Sequence, residues 1–160
     1  MNEQNFEKIA KHNKVGSKLD SHGRSLDIYQ SNLLSLCPAL SLFLKVYAET
    51  IDQGHANPMV SWRNKSSIVW AQLGTQVVGG ICYEYEPEAR MGWIVLSFTD
   101  PEYRGCGING ILHEFFEAEI KNLGGVRIAS LIHIDNVSRI RSAEKVGLLP
   151  QFYRTLKILD

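Results

Sequence analysis

The chain has no surplus of charge of either sign. Its 17 Lys and Arg residues balance 17 Asp and Glu residues, for a formal net charge of zero at pH 7. Nucleic-acid binders draw most of their affinity from neutralised phosphates, so without a bulk basic excess only a local basic patch would serve that role. Cysteine is sparse: Cys37, Cys82 and Cys106 stand far apart. Neither a disulfide framework nor a cysteine metal site is expected from that spacing, and no metal is expected at all. Long apolar runs are missing too. The longest, Leu33 to Leu44, is broken by Ser and Pro and closed by Lys45, well short of the ~20 residues a membrane span needs. The first residues, Met1 to Lys18, are polar and carry no apolar signal core. There is no internal repeat and no low-complexity tract. These absences predict a soluble, cytoplasmic protein with no membrane partner.

What is present is an ordinary globular composition: 160 residues, 44% hydrophobic and 21% charged. That length suits one domain and can bury a core without metal or disulfide staples. Met1 to Arg24 reads as a polar extension, frayed or a short helix. Ser25 to Ile51 carries Leu26, Tyr29, Leu33, Leu36, Leu40, Phe43, Leu44, Tyr47 and Ile51 at helical spacing, with Pro38 between two predicted helices. From Ser67 the pattern turns to strands, over 67–73, Gln76 to Tyr85 and Met91 to Thr99, with Glu86 to Arg90 as a hairpin loop. Ile108 to Leu123 is strongly amphipathic and stops at Gly124-Gly125. A strand (Arg127 to Ile134), a helix (Val137 to Val146) and a last strand (Gln151 to Leu159) complete the order. The fold class is α/β (α+β): a mixed sheet, antiparallel first and then joined by a helical crossover.

The segment Arg104-Gly105-Cys106-Gly107-Ile108-Asn109-Gly110 places three glycines between a strand and a helix start. Without Cβ atoms the backbone can approach a ligand, and the N–H groups and dipole of a helix start favour a phosphate. Gly105 to Gly110 literally fits the G-x-G-x-x-G dinucleotide fingerprint, with Asp135 downstream as a ribose acid. Against that reading, Asp100 to Arg104 separate the strand from the first glycine. Only 25 residues follow Asp135 in these 160, too few for the further βαβ units that fold requires.

The loop instead resembles motif A of the GNAT superfamily of N-acetyltransferases, R/Q-x-x-G-x-G/A, with Arg104, Gly107 and Asn109 at its signature positions. Ser67 to Tyr85, with Gly79-Gly80, is similar to the family's second and third strands. Asp135-Asn136 and Ala143-Glu144-Lys145-Val146-Gly147-Leu148 resemble motif B. The resemblance covers about Ser67 to Leu159. It implies a GNAT-like sheet with helices on both faces, divided into a polar extension (1–24), a helical acceptor side (25–66) and an acetyl-CoA-binding core (67–160). Asn109 replaces the usual Gly or Ala, and its amide can donate to phosphate. Ala143 replaces a frequent Tyr, and Arg139 a frequent Ser.

The implied activity is N-acetyl transfer from acetyl-CoA to a primary amine of a small molecule or protein, by a monomer or homodimer. The implied cofactor contacts are the strand groups of Leu96, Ser97, Phe98 and Thr99, the backbone of Arg104, Gly105, Cys106, Gly107, Ile108, Asn109 and Gly110, and then Asn136 and Arg139. Asn136 is equally a plain helix N-cap. Cys106, at a helix start beside Arg104, is expected to be a sensitive thiol that CoA protects.

Many members place a Glu on the strand before motif A; here Trp93 stands about there. Glu84 and Glu86 share one face of the neighbouring strand, Tyr83 and Tyr85 the other. Glu84 is the candidate base, with a solvated hairpin edge as its other reading. Tyr153 is the candidate acid. His113 is expected to face solvent, and His133 to sit on a strand bordering the cleft. Two other functions stay open: a CoA-binding module without transfer, and a toxin-like acetyltransferase of charged tRNA, which would need a basic face.

Overall fold

Short alternating apolar segments become strands where one side can be buried, and six strands form in the computed structural model, which describes residues 12–55 and 66–150. They are β1 (His12–Leu19), β2 (Ser25–Ser31), β3 (Ser67–Leu73), β4 (Gln76–Glu86), β5 (Met91–Thr99) and β6 (Arg127–Ser130). Three helices accompany them: α1 (Leu40–Asp52), α2 (Ile108–Asn122) and α3 (Val137–Lys145). The strands form one sheet in the order β1-β2-β3-β4-β5-β6. Neighbours are antiparallel up to β5, and β6 is parallel to β5. A parallel neighbour needs a crossover, and α2 supplies it. Among the described residues no helix is long and apolar enough to cross a membrane.

Alternation along β2 to β5 feeds two cores. Leu26, Ile28, Val69, Ala71, Ile81, Tyr83 and Ile94 pack against Ile108, Leu112, Phe116 and Ile120 of α2. Ile68, Trp70, Cys82 and Phe98 face the other way and meet Leu42, Phe43 and Val46 of α1. The expected helices on both faces are therefore present. Close packing is tight enough to require glycine: a Cβ at Gly80 would lie 2.6 Å from the Phe98 ring across the β4–β5 ladder.

The first third departs from the sequence reading. Residues 12–19 form a strand, not a frayed or helical extension, and Ser25–Ser31 is a strand, not a helix. The physical reason is two-faced burial. Leu26 and Ile28 lie fully buried on the α2 side, while Tyr29 stacks on Trp70 on the opposite side at 5.4 Å. A helix could not serve both faces of a sheet. Within the region 25–66, helix thus begins at Leu40, just after Pro38, apart from one turn of 3-10 helix at Leu34–Leu36. The strand expected to reach Ile134 stops at Ser130. The predicted last strand, with Tyr153, lies outside the described residues.

Candidate active site

The β4–β5 hairpin sets the site's register. Glu86 pairs with Met91 and Glu84 with Trp93, as the sequence reading required. Beyond Trp93 the register shifts, because Tyr83 pairs with Ile94 and Cys82 with Leu96. Val95 is thus the extra residue of a bulge, which bends a strand and leaves its backbone outside the regular ladder. On its other edge β5 pairs with β6 only from Met91 to Ile94. From Val95 onward β6 no longer accompanies β5, and among the described residues that edge of β5 has no strand partner. The wedge opens towards the glycine loop.

The loop follows β5 through one 3-10 turn, Pro101–Tyr103, capped by Asp100, whose side chain accepts from the Glu102 N–H. The N–H groups of Arg104 and Cys106 reach back to the Pro101 and Tyr103 carbonyls, each at 3.4 Å. Those of Gly105, Gly107, Ile108, Asn109 and Gly110 have no partner among the described residues. The five free donors surround the start of α2, where the helix dipole adds to their field. Gly107 is the N-cap, at φ 80°. A Cβ there would meet only the Ser21 Cβ, at 3.9 Å, and Gly105 and Gly110 face open space.

Several residues expected at the cofactor, most of them through backbone groups, have side chains committed elsewhere. The Arg104 guanidinium donates to Glu49 of α1 at 3.1 Å and to the Thr99 carbonyl at 3.4 Å. The Asn109 amide does not face an open phosphate pocket. It accepts from the Ser97 hydroxyl and donates to Ser142 of α3 at 2.9 Å, tying β5, α2 and α3 together. Phe98 is buried in the α1-side core. Cys106 is 7% exposed and belongs to the α2-side core, so the expected accessible thiol is closed off. Ile108 is buried beside it, and both offer only backbone to a ligand. Asn136 caps α3, its Oδ1 accepting from the Arg139 N–H at 3.1 Å, while its Nδ2 has no partner among the described residues.

Glu84 is half-buried on the α1-side face. The Ser66 hydroxyl donates to its Oε1 at 3.1 Å. Glu86 is exposed and accepts from the Trp93 indole N–H at 3.0 Å. His133 lies beyond the end of β6, not on a strand, and stacks on His55 at 5.6 Å. Its Nδ1 accepts from the Asp135 N–H at 3.2 Å. This contact joins the end of α1 to the chain beyond β6, and His55 carried no signal in the sequence.

His113 is 2% exposed, contrary to expectation, because α3 brings Arg139 over that face of α2. Burial, reinforced by the Arg139 charge, pushes the imidazole down to about 4. Both terminal nitrogens of Arg139 are buried without a partner among the described residues, and burial lowers the guanidinium to about 10. It stays charged at neutral pH, and a buried unpaired cation favours an anion nearby. His113 folds neutral. Its folded value lies below the ordinary 6.5, so the stability gained is complete above about pH 6.5 and is lost as pH falls towards 4. The linked free energy is on the order of 3 kcal/mol. His113→Gln should therefore flatten the fall in folding stability between these pH values, measured by denaturant titration. Equal slopes in both proteins would show that His113 is not the titrating group.

No curated protein matches the chain in sequence. Solved structures match it in shape. A ribosomal-protein-alanine N-acetyltransferase from Brucella melitensis biovar Abortus 2308 has TM-score 0.62 at 14% identity, covering 84% of this chain and 99% of that one. The aminoglycoside acetyltransferase meta-AAC0020 from an uncultured soil metagenomic sample, in complex with sisomicin, has TM-score 0.60 at 15% identity, covering 82% and 97%. AAC(6')-Iy in complex with the bisubstrate analogue CoA-S-monomethyl-acetylneamine has TM-score 0.57 at 15% identity, covering 82% and 99%. At such identities the likeness establishes the shared fold. Residues 38–148, which hold the bulge, the wedge, the glycine loop and both motifs, match the model of the acetyltransferase (GNAT) family. The chain belongs to that family of acyltransferases.

Proposed function

We propose that the chain transfers an acetyl group from acetyl-CoA to a primary amine of a small molecule or a protein, in the cytoplasm. The observation that carries this reading is the wedge: a β5 edge that beyond Ile94 has no strand partner among the described residues and leads to five N–H groups, likewise without a partner there, at the start of α2. A strand edge suits an amide-bearing arm, and free helix-start donors suit a pyrophosphate. The open space at Gly105 and Gly107 leaves room for it. The donor set therefore fits CoA.

When bound, acetyl-CoA supplies a thioester carbonyl and a thiolate leaving group. The chain's own residues do the rest. Backbone groups of Leu96, Ser97, Phe98 and Thr99 pair with the amide arm. Gly105, Gly107, Ile108, Asn109 and Gly110 hold the phosphates through N–H groups. The Asn109 amide contributes indirectly, by bracing Ser97 and Ser142 around the wedge. The free Asn136 Nδ2 donates to the arm, and Arg139 adds positive charge near the phosphates. Val95, at the bulge, offers backbone polarity near the point where β5 and β6 part. Glu84 takes the proton from the amine, and Tyr153 returns one to the thiolate.

Acetyl-CoA at 100 times its Kd should stabilise the fold by about 2.7 kcal/mol, and NAD by nothing. Thermal shift with each ligand measures this, and a shift with NAD alone would overturn the assignment. A second reading, a CoA-binding module without transfer, rests on Ala143. It occupies the usual Tyr position and is buried, with no proton to give. Free-thiol release across a panel of amines, aminoglycosides and peptide N-termini among them, separates the two readings.

A further inference from the structure

The turn between β1 and β2 is built around one carboxylate. Asp20 Oδ1 accepts from the N–H groups of His22 and Arg24 at 2.8 and 2.9 Å, and Oδ2 accepts from Arg24 Nε at 2.7 Å. Burial alone pushes the Asp20 carboxyl up, but these N–H donors and the guanidinium outweigh it and hold it at about 2. The Cys106 thiol and the His22 ring come within 4.8 Å of this carboxylate. Both carboxylate oxygens are already occupied, so the cluster is a closed ion pair and not an open cation site.

The turn is not free-standing. The Ser21 N–H donates to the Cys106 carbonyl at 3.1 Å, inside the glycine loop. The Arg24 guanidinium, while holding Asp20, lies over the Tyr103 ring at 5.1 Å. Tyr103 ends the 3-10 turn that delivers the loop. The hairpin behind is anchored along α2 as well: Lys18 pairs with Glu114, and Gly16 lies so close to Phe115 that a Cβ would approach its ring to 2.7 Å. One arginine therefore joins the β1–β2 turn to the strand side of the loop, while a backbone bond joins it to the helix side.

We infer that the Asp20–Arg24 turn is a brace that holds the glycine loop in its phosphate-binding shape, with Arg24 as the positioning residue. The inference rests on the acetyl-CoA reading of the loop given above. Its physical content is preorganisation. Five N–H groups bind a pyrophosphate well only if they converge beforehand, and a loop with glycines at positions 105, 107 and 110 does not hold that shape by itself. The brace acts on the phosphates alone and leaves the acetyl end untouched.

The test compares acetyl-CoA with S-acetylpantetheine, which carries the arm and the thioester but no phosphate. Arg24→Gln should raise KM for acetyl-CoA about tenfold with kcat nearly unchanged, and leave turnover of S-acetylpantetheine as in wild type. CoA affinity by calorimetry should fall in parallel. Arg24→Lys keeps the charge but not the fork over Tyr103 and should recover part of the loss. If Arg24→Gln fails to fold, Tyr103→Leu removes the ring beneath the guanidinium while leaving the Asp20 pair, and should show the same phosphate-dependent split. Equal losses with both donors, or unchanged CoA affinity in folded Arg24→Gln or Tyr103→Leu, would overturn the brace. A wild-type chain that binds no CoA would overturn the cofactor reading itself, and the brace with it.

Discussion

Gly107→Val should abolish measurable acetyl-CoA binding in a chain that still folds. The residue has φ 80° and caps α2. A branched side chain in that left-handed region is strained by about 1–3 kcal/mol, which a domain of this size tolerates. Steric conflict within the protein is slight, because the nearest atom to a new Cβ is that of Ser21 at 3.9 Å. On the acetyl-CoA reading, the valine occupies open space beside the N–H groups of Gly107, Ile108 and Asn109 that the phosphates need. Losing even two hydrogen bonds to a charged phosphate, at roughly 1.5–3 kcal/mol each, costs about 100-fold in affinity or more. Gly74→Val is the control. It imposes a comparable strain at φ 61° in the β3–β4 turn, also with open space around it, and should leave CoA affinity unchanged. Calorimetric titration of both variants decides the matter. Wild-type affinity in Gly107→Val would reduce the loop to a connector.

The residues behind this prediction were legible in the sequence because they are local. The loop's glycines, the strand before it and the helix after it lie within a few residues of one another, and turn chemistry and helical period mark each. The β4–β5 register was legible for the same reason as far as the Val95 bulge: a short hairpin loop between Glu86 and Met91 fixes the pairs from there to Tyr83–Ile94. Ser25–Ser31 was not legible. Leu26, Tyr29, Leu33 and Leu36 fit a helical period, while Leu26 and Ile28 fit a strand. Only the neighbouring β3, more than 30 positions on, decides between them. Side-chain commitments failed for a similar reason. Arg104 answers to Glu49, 55 residues away, and Asn109 to Ser142, 33 residues away. In sequence, its neighbour Glu114 places His113 on the polar face of α2, but His113 is buried, with Phe116 against its ring and Arg139 of α3 near enough to act on its charge. The end of β6 at Ser130 coincides with the end of its pairing with β5 at Ile94. Where that pairing ends is a tertiary property with no local signature.

Glu84→Gln should lower kcat by roughly 10²–10⁴ with acetyl-CoA affinity nearly unchanged. The proposal that Glu84 is the base depends on register. The ladder sets Glu84 opposite Trp93, one residue before Ile94, where β5 last touches β6. Directly opposed residues on antiparallel strands project to the same face, so Glu84 stands on the α1 side at the level where the wedge begins. A slip of one residue would send it to the α2 side, into the core that holds Tyr83 and Phe116. The Ser66 hydroxyl, itself buried, fixes the carboxylate by donating to Oε1 at 3.1 Å. Gln keeps the size and can still accept that bond, but it cannot take a proton from an amine. Glu86 provides the comparison on the same strand face. It is exposed and occupied by the Trp93 indole, so Glu86→Gln should retain most of the activity. Steady-state rates at saturating acetyl-CoA and neutral pH, alongside CoA affinities, separate the outcomes. Near-wild-type turnover in Glu84→Gln would return the residue to a hydrogen-bonded strand position and leave the amine's proton to another group or to water.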